Sequence, residues 1–439
     1  RIAKNNSGFS LSKYVIFSKH YALLALYLFF WGASAYYLYG SATYEMISTP
    51  WEAISHNFIY FFLVASLLLV SLILSRFKTK IVLSCIILHS VLLHSYLPLA
   101  HFLPFGSDIW RLIGIEQRII SGKIISPELV PPVEFRQVFG LAIPKVFTSL
   151  SQFAYGSLWG VSVNISWISS ISLLSLNKWL LPILWGVAVP VIFFQIGLVL
   201  FQSLKKSLWL SFFSMMPFTF QAVGSLTLPV SFGYLIFFLV FLLWLVYLRG
   251  QTFWQRVILF GLVGLMLFGY PLVALTMIFL IVSVELWQKF DLIKSKVLQH
   301  STKAALVLNL FVIVPVLELL FDYKQISGSV KEDLVLSEII PMIGRIFTGW
   351  DYSQQVLERN IRVGNIFFNH TSKDTLISTF VTDFRWQIFV GMIIIWILFT
   401  IGFYLLAKSK DLTKKALLFL SIFSLSGYTV GWFFLEGNR

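Results

Sequence analysis

Runs of about twenty apolar residues, each closed by a short polar or basic stretch, recur along almost the whole chain. A helix needs about 20 apolar residues to cross the hydrocarbon of a bilayer. The pattern therefore predicts spans at 21–40, 57–75, 81–100, 179–201, 208–225, 229–248, 304–321, 387–407 and 416–434. The run from Val257 to Trp287 is long enough for two crossings, separated at Gly269-Tyr270-Pro271. Residues 147–178 are less decisive, being moderately apolar and free of charge until Lys178.

Composition agrees with this pattern. Of 439 residues, 58% are hydrophobic and 12% are charged, about half the charged fraction of an ordinary soluble domain. The net charge of +14 does not argue for nucleic acid, because basic residues of membrane proteins collect in the loops on one side. The single cysteine, Cys85, lies inside an apolar run and leaves no internal disulfide. No cleavable signal peptide is evident, since the basic start leads into a run long enough to span. A start at Arg1 and an abrupt end at Arg439 fit a fragment of a longer protein.

Sidedness follows from the basic loops. With Arg1, Lys4, Lys13 and Lys19 inside, the acidic 41–56 loop and the long 101–146 loop fall outside. Lys205 with Lys206, Arg249 with Arg256, 289–296 and 408–415 all fall inside only if 147–178 crosses an even number of times. A hairpin there is expected, giving about thirteen spans. The fold class is thus all-α: one polytopic membrane domain of about 11–13 helices. Two external loops, 101–146 and 322–386, can meet on that face. Trp31, Tyr36, Tyr37 and Tyr39 read as an interfacial aromatic belt.

The first external loop contains FGSDIWRLIGIEQRIISGK, residues 105–123, where a chain otherwise poor in charge gathers two carboxylates, two arginines and a lysine. As a helix over 108–121 it is amphipathic: Ile109, Leu112, Ile113, Ile119 and Ile120 cover one face, and Arg111 and Arg118 share the opposite one. It would lie in the membrane plane. Glu116 falls on the apolar face, where a carboxylate needs a partner. Asp108 also fits a helix N-cap, with Ser107 as competitor, and the arginines also fit anchors for lipid phosphates. Together they offer a base and a phosphate clamp to a substrate whose tail lies in the bilayer.

The stretch SDIWRLIGIEQRIISGK resembles the D-x-W-R segment of uncharacterised prokaryotic members of the GT-C superfamily of membrane glycosyltransferases. The rhythm of 160–201 and of SMMPFTFQAVGSLTLPVSFGYL is similar too, and the likeness is best over 98–290. It implies a plasma-membrane protein with its site on the non-cytoplasmic face and a polyprenyl-phosphate- or diphosphate-linked sugar as donor. Asp108 would then activate the acceptor, and Arg111 would offset charge on the departing phosphate. Trp110, Glu116 and Arg118 would join them as substrate-binding residues. Ile109 stands where many of these families carry a second acidic residue, which weakens the case for a metal-bound diphosphate. No cofactor is expected, and no divalent metal is indicated.

In the second loop, Arg345, Arg359 and Arg362 are candidates for the lipid phosphate, and Trp350 with Asp351 for a sugar. Ordinary solvated side chains are the simpler account of each. Asn369-His370-Thr371 fits the glycosylation pattern, and Arg385 and Arg439 fit snorkelling anchors. Gln221, Thr227 and Tyr270 sit at outer turns and would line the same cavity, though Tyr270 equally suits an interfacial anchor. His94 and His101 lie two helical turns apart, about 10 Å, too far to share an ion. No Gly-rich nucleotide loop is present. Two other readings remain: an envelope polysaccharide polymerase or ligase, which would place its large loop late in the chain, and a lipid-linked saccharide flippase or transporter, which would carry polar residues through mid-membrane.

Overall fold

The computed structural model describes residues 11–45, 47, 50–75, 77–105, 107–122, 135–138, 141–144, 156–216, 223–250, 252–267, 269–307 and 385–434. Their regular structure is helical except for one antiparallel ribbon, β1 (Phe135–Val138) and β2 (Leu141–Pro144), with Phe135 opposite Pro144 and Val138 opposite Leu141. The all-α expectation holds for every element of membrane length among the described residues.

Among the described residues, five helices are long and apolar enough to cross a membrane: α1 (Leu11–Tyr39) over Tyr21–Tyr39, α2 (His56–Leu74), α7 (Leu173–Phe201), α9 (Pro229–Gly250) and α11 (Pro271–Asp291) over Val273–Asp291. Three shorter apolar helices accompany them: α3 (Thr79–His94), α10 (Phe253–Leu267) and α12 (Arg385–Lys408) over Ile393–Lys408. The remaining helices are α4 (Tyr96–Ala100), α5 (Ser107–Ile120), α6 (Gly156–Ser169), α8 (Leu204–Phe213) and α13 (Leu412–Phe434). On α12 the consecutive isoleucines Ile393, Ile394 and Ile395 are all exposed. Lipid tolerates apolar side chains on every side of a helix, and water does not. This is the build of a membrane-embedded protein.

The chain divides into two compact units, Arg1–Phe105 with Leu181–Leu226, and Gly106–Leu180 with Thr227–Arg439. The division falls within α7, beside Pro182, whose ring removes a backbone hydrogen bond from the helix.

In the first unit α2 packs along α1 and against α3. Polar side chains on these helices reach backbone carbonyls of their neighbours: Tyr27 Oη donates to Cys85 O at 2.8 Å, Trp31 Nε1 to Leu88 O at 3.1 Å and Ser34 Oγ to Phe58 O at 3.2 Å. Close helix approach needs small residues. A Cβ on Gly186 of α7 would lie 2.8 Å from Val91 Cα, and one on Gly197 would lie 2.7 Å from Ser207 Cα. After α1 the chain is pinned to the end of α4 by Thr43 N to Ala100 O at 3.2 Å and by Tyr44 stacked on Phe102 at 4.1 Å.

In the second unit α9, α10 and α11 pack in succession, and α13 covers α9, α11 and α12. The expected break at 269–270 is where α10 gives way to α11, with Pro271 at the first helical position. At the basic end of α11, Lys303 pairs with Asp291, and the ammonium groups of Lys303 and Lys415 lie 4.6 and 5.2 Å from the Trp287 ring centre.

Two expected spans are corrected. Over the described residues 156–178 the hairpin of two crossings does not form: α6 ends at Ser169, and α7 starts at Leu173 and runs unbroken to Phe201. Its sequence hid the turn because serines make it. Ser170 adopts a positive φ of 58°, and Ser172 Oγ accepts from Ser175 N at 3.2 Å, capping α7. At 14 residues α6 is about 21 Å long, too short to span. The span at 208–225 is not one helix either, because α8 stops at Phe213, ahead of Pro217. The segment still runs between opposite ends of the first unit. Lys205 Nζ donates to Leu74 O, at the end of α2, at 3.3 Å. Gly224 packs against His94, at the far end of the antiparallel α3. Most of the expected span at 304–321 lies outside the described residues.

Candidate functional site

Alternation of apolar and charged residues at helical spacing makes α5 the most amphipathic helix described. Ile109, Leu112 and Ile113 are buried, and α6 packs against α5. Ile119 is half-buried and Ile120 exposed, so the apolar face is covered over its first two turns and free at the last. The helix ends where Gly122 takes φ 65° and donates from its N–H to Ile119 O at 3.0 Å. That left-handed stop suits glycine.

Asp108, Trp110, Arg111, Gly114 and Arg118 are all exposed. Asp108 lies in the first turn, after Ser107, where the helix dipole favours a carboxylate. Its side chain makes no cap bond and no ion pair among the described residues. Arg111 and Arg118 are likewise unengaged there. Arg111 stands three residues beyond Asp108, a spacing that puts the two on neighbouring positions of one surface. Arg118 is two turns farther along the same side, about 10 Å away. An exposed carboxylate and two guanidinium groups thus sit on one face of a helix whose other face is packed.

Glu116 occupies the centre of the buried face and is 0% exposed. Asn177 of α7 supplies the partner that the sequence required: its Nδ2 donates to Glu116 Oε2 at 2.5 Å and to Leu173 O at 3.0 Å. Ser162 of α6 is buried beside the carboxyl, near enough to favour the charged form but without hydrogen-bond geometry to it. Burial dominates and pushes the Glu116 carboxyl up to about 7, with Asn177 and Ser162 pulling weakly the other way. Asn177 and Ser162 were not singled out in the sequence. A lone asparagine near the start of an apolar helix was the available signal, and it could not name its partner.

Tyr270 is half-buried just before α11. A Cβ on Gly233 would lie 2.5 Å from Tyr270 Cβ, so the tyrosine packs on α9. The neighbouring Gly269 backs onto Ser157 in the first turn of α6, the helix that also covers α5. Thr227 is buried. Gln221, Arg345, Trp350, Asp351, Arg359, Arg362, Arg439 and the 369–371 motif lie outside the described residues, as does the side chain of Arg385. The structure therefore groups Asp108, Trp110, Arg111 and Arg118 on one helix, with Glu116 beneath them.

His101, one of the two histidines set aside as a metal pair, serves the backbone. Its Nε2 reaches Glu45 O and its Nδ1 accepts from Leu103 N, both at 3.2 Å. No family model, curated protein or solved structure matches this chain.

Proposed function

We propose that the protein is a membrane glycosyltransferase of the GT-C type, taking a sugar from a polyprenyl-phosphate or polyprenyl-diphosphate donor. One observation carries this reading: Asp108 and Arg111 are exposed and, among the described residues, unengaged on the polar face of α5, while the opposite face is anchored. The carboxylate of Asp108 takes the proton of an acceptor hydroxyl as that oxygen attacks the anomeric carbon. The bond from the anomeric carbon to the lipid phosphate oxygen breaks, and Arg111 neutralises the charge gathering there. Arg118, two turns along, holds the rest of the headgroup, and Trp110 lies at the interface where a polyprenyl chain enters lipid.

The sidedness argument supports an external site. With α6 too short to span, the described part of 147–178 adds no crossing of its own, so the basic loops stay on the side of the N-terminus as an even count requires. With the broken segment at 204–225 counted as a crossing, the total is about eleven.

The test is sugar transfer in membranes supplied with radiolabelled polyprenyl-phosphate sugars, comparing wild type with Asp108→Asn at matched expression and melting temperature. Loss of transfer in the variant supports the reading. Full activity in the variant would leave Asp108 without a catalytic role.

A further inference from the structure

Beneath the exposed face of α5, three buried oxygens have no partner among the described residues: Glu116 Oε1, Asn177 Oδ1 and Ser162 Oγ. All three residues are 0% exposed. The amide of Asn177 cannot be turned over to relieve this, because its Nδ2 also donates to Leu173 O, which only accepts. Most serines in these helices return their hydroxyl to the carbonyl four residues back, as Ser66 does to Phe62 O at 2.8 Å. Ser162 does not.

Among the described residues the cluster also lacks positive charge. On α5 the other charged groups, Asp108, Arg111 and Arg118, are exposed. No residue of α6 titrates. The nearest cation on α7, Lys178, follows Asn177 in the chain but points along the Trp179 ring, 5.9 Å from its centre.

We propose that Glu116 Oε1, Asn177 Oδ1 and Ser162 Oγ bind one small monovalent cation between α5, α6 and the start of α7. Hard oxygen ligands of this kind suit alkali and alkaline-earth ions rather than soft metals. A single positive charge matches the single carboxylate, whereas a divalent ion would leave an uncompensated buried charge. A water molecule could reach the same oxygens but would leave the carboxylate uncompensated. A proton on Glu116 removes the charge and, with the Ser162 hydroxyl as a second donor, competes with the ion, so the ion is expected where the carboxyl is ionised. The site is independent of the glycosyltransferase reading. Its consequence is mechanical, since the ion joins the helix bearing Asp108 and Arg111 to the two helices beneath.

The experiment is thermal unfolding of the purified full chain in detergent, followed by tryptophan fluorescence at pH 8. Chlorides of sodium, lithium, potassium and N-methyl-D-glucamine are compared at equal ionic strength. One small alkali cation is expected to raise the midpoint by several degrees in a saturable way, and Glu116→Gln should abolish the effect. Ser162→Ala, which keeps the carboxylate, should need roughly tenfold more of the same cation. Equal wild-type midpoints in all four salts would overturn the proposal, as would a shift that survives Glu116→Gln. Should Glu116→Gln fail to fold, an unchanged half-saturating concentration in Ser162→Ala would overturn it instead.

Discussion

Asn177 and Glu116 are 61 residues apart in the chain and meet through a 2.5 Å hydrogen bond under α5. That bond lets an amphipathic helix carry a carboxylate at the centre of its apolar face. Its removal and its titration can both be measured.

The first prediction concerns pH. Burial raises the Glu116 carboxyl to about 7 from its ordinary value of 4.5, so between these values the folded protein holds a proton that the unfolded chain has released. Stability is therefore complete below about pH 4.5, falls as pH rises through about 7, and is flat above, an effect on the order of 3 kcal/mol. Unfolding in N-methyl-D-glucamine buffers across this window should show the decline in wild type. Glu116→Gln should flatten it.

Asn177→Leu should be worse than losing both partners. It leaves the Glu116 carboxyl buried without its hydrogen bond, at a cost of about 2–3 kcal/mol. The double variant Glu116→Leu with Asn177→Leu removes the polar pair together and should recover much of that loss. Additive single-variant effects in a double-mutant cycle would disprove the coupling.

Close helix packing makes a contrasting pair of glycines. Gly186→Ala places a Cβ 2.8 Å from Val91 Cα, a clash with backbone that should cost about 1–3 kcal/mol. Gly261→Ala meets nothing within 4 Å and should be neutral or slightly stabilising through helix propensity. Melting temperatures of the two variants in the same detergent decide the point.

Arg111 and Arg118 should differ in kinetics if the proposed chemistry is right. Arg111→Ala is expected to lower kcat by about 100-fold, because its charge acts at the leaving phosphate. Arg118→Ala should chiefly raise KM for the lipid donor, its charge serving ground-state binding. Both side chains are exposed, so neither change should move the melting temperature. Equal effects on KM alone would make both arginines lipid anchors.

Much of the architecture is legible in the sequence, for a physical reason that holds element by element. The apolar run of α2 can satisfy its backbone only as a helix in lipid, and Pro271 must start a helix rather than continue one, which fixes the break between α10 and α11. The faces of α5 follow from rotation per residue, and that reading also found Glu116 in need of a partner. Serine-made turns were not legible, because Ser170 and Ser172 differ little in polarity from the serines inside α6. The hairpin at 147–178 failed on that account. Hydropathy also could not see that the run at 208–225 is interrupted after Phe213, since methionine and phenylalanine keep it apolar through the turn.

By itself the sequence determined which segments seek lipid and which residues share a face of α5. These properties come from local periodicity and from the cost of burying charge. Only the tertiary structure decided that α6 is a short helix packed against α5, that α8 stops short, and that Asn177 and Ser162 close over Glu116. Those pairings join residues far apart in the chain, and no local pattern encodes which buried polar group will face which.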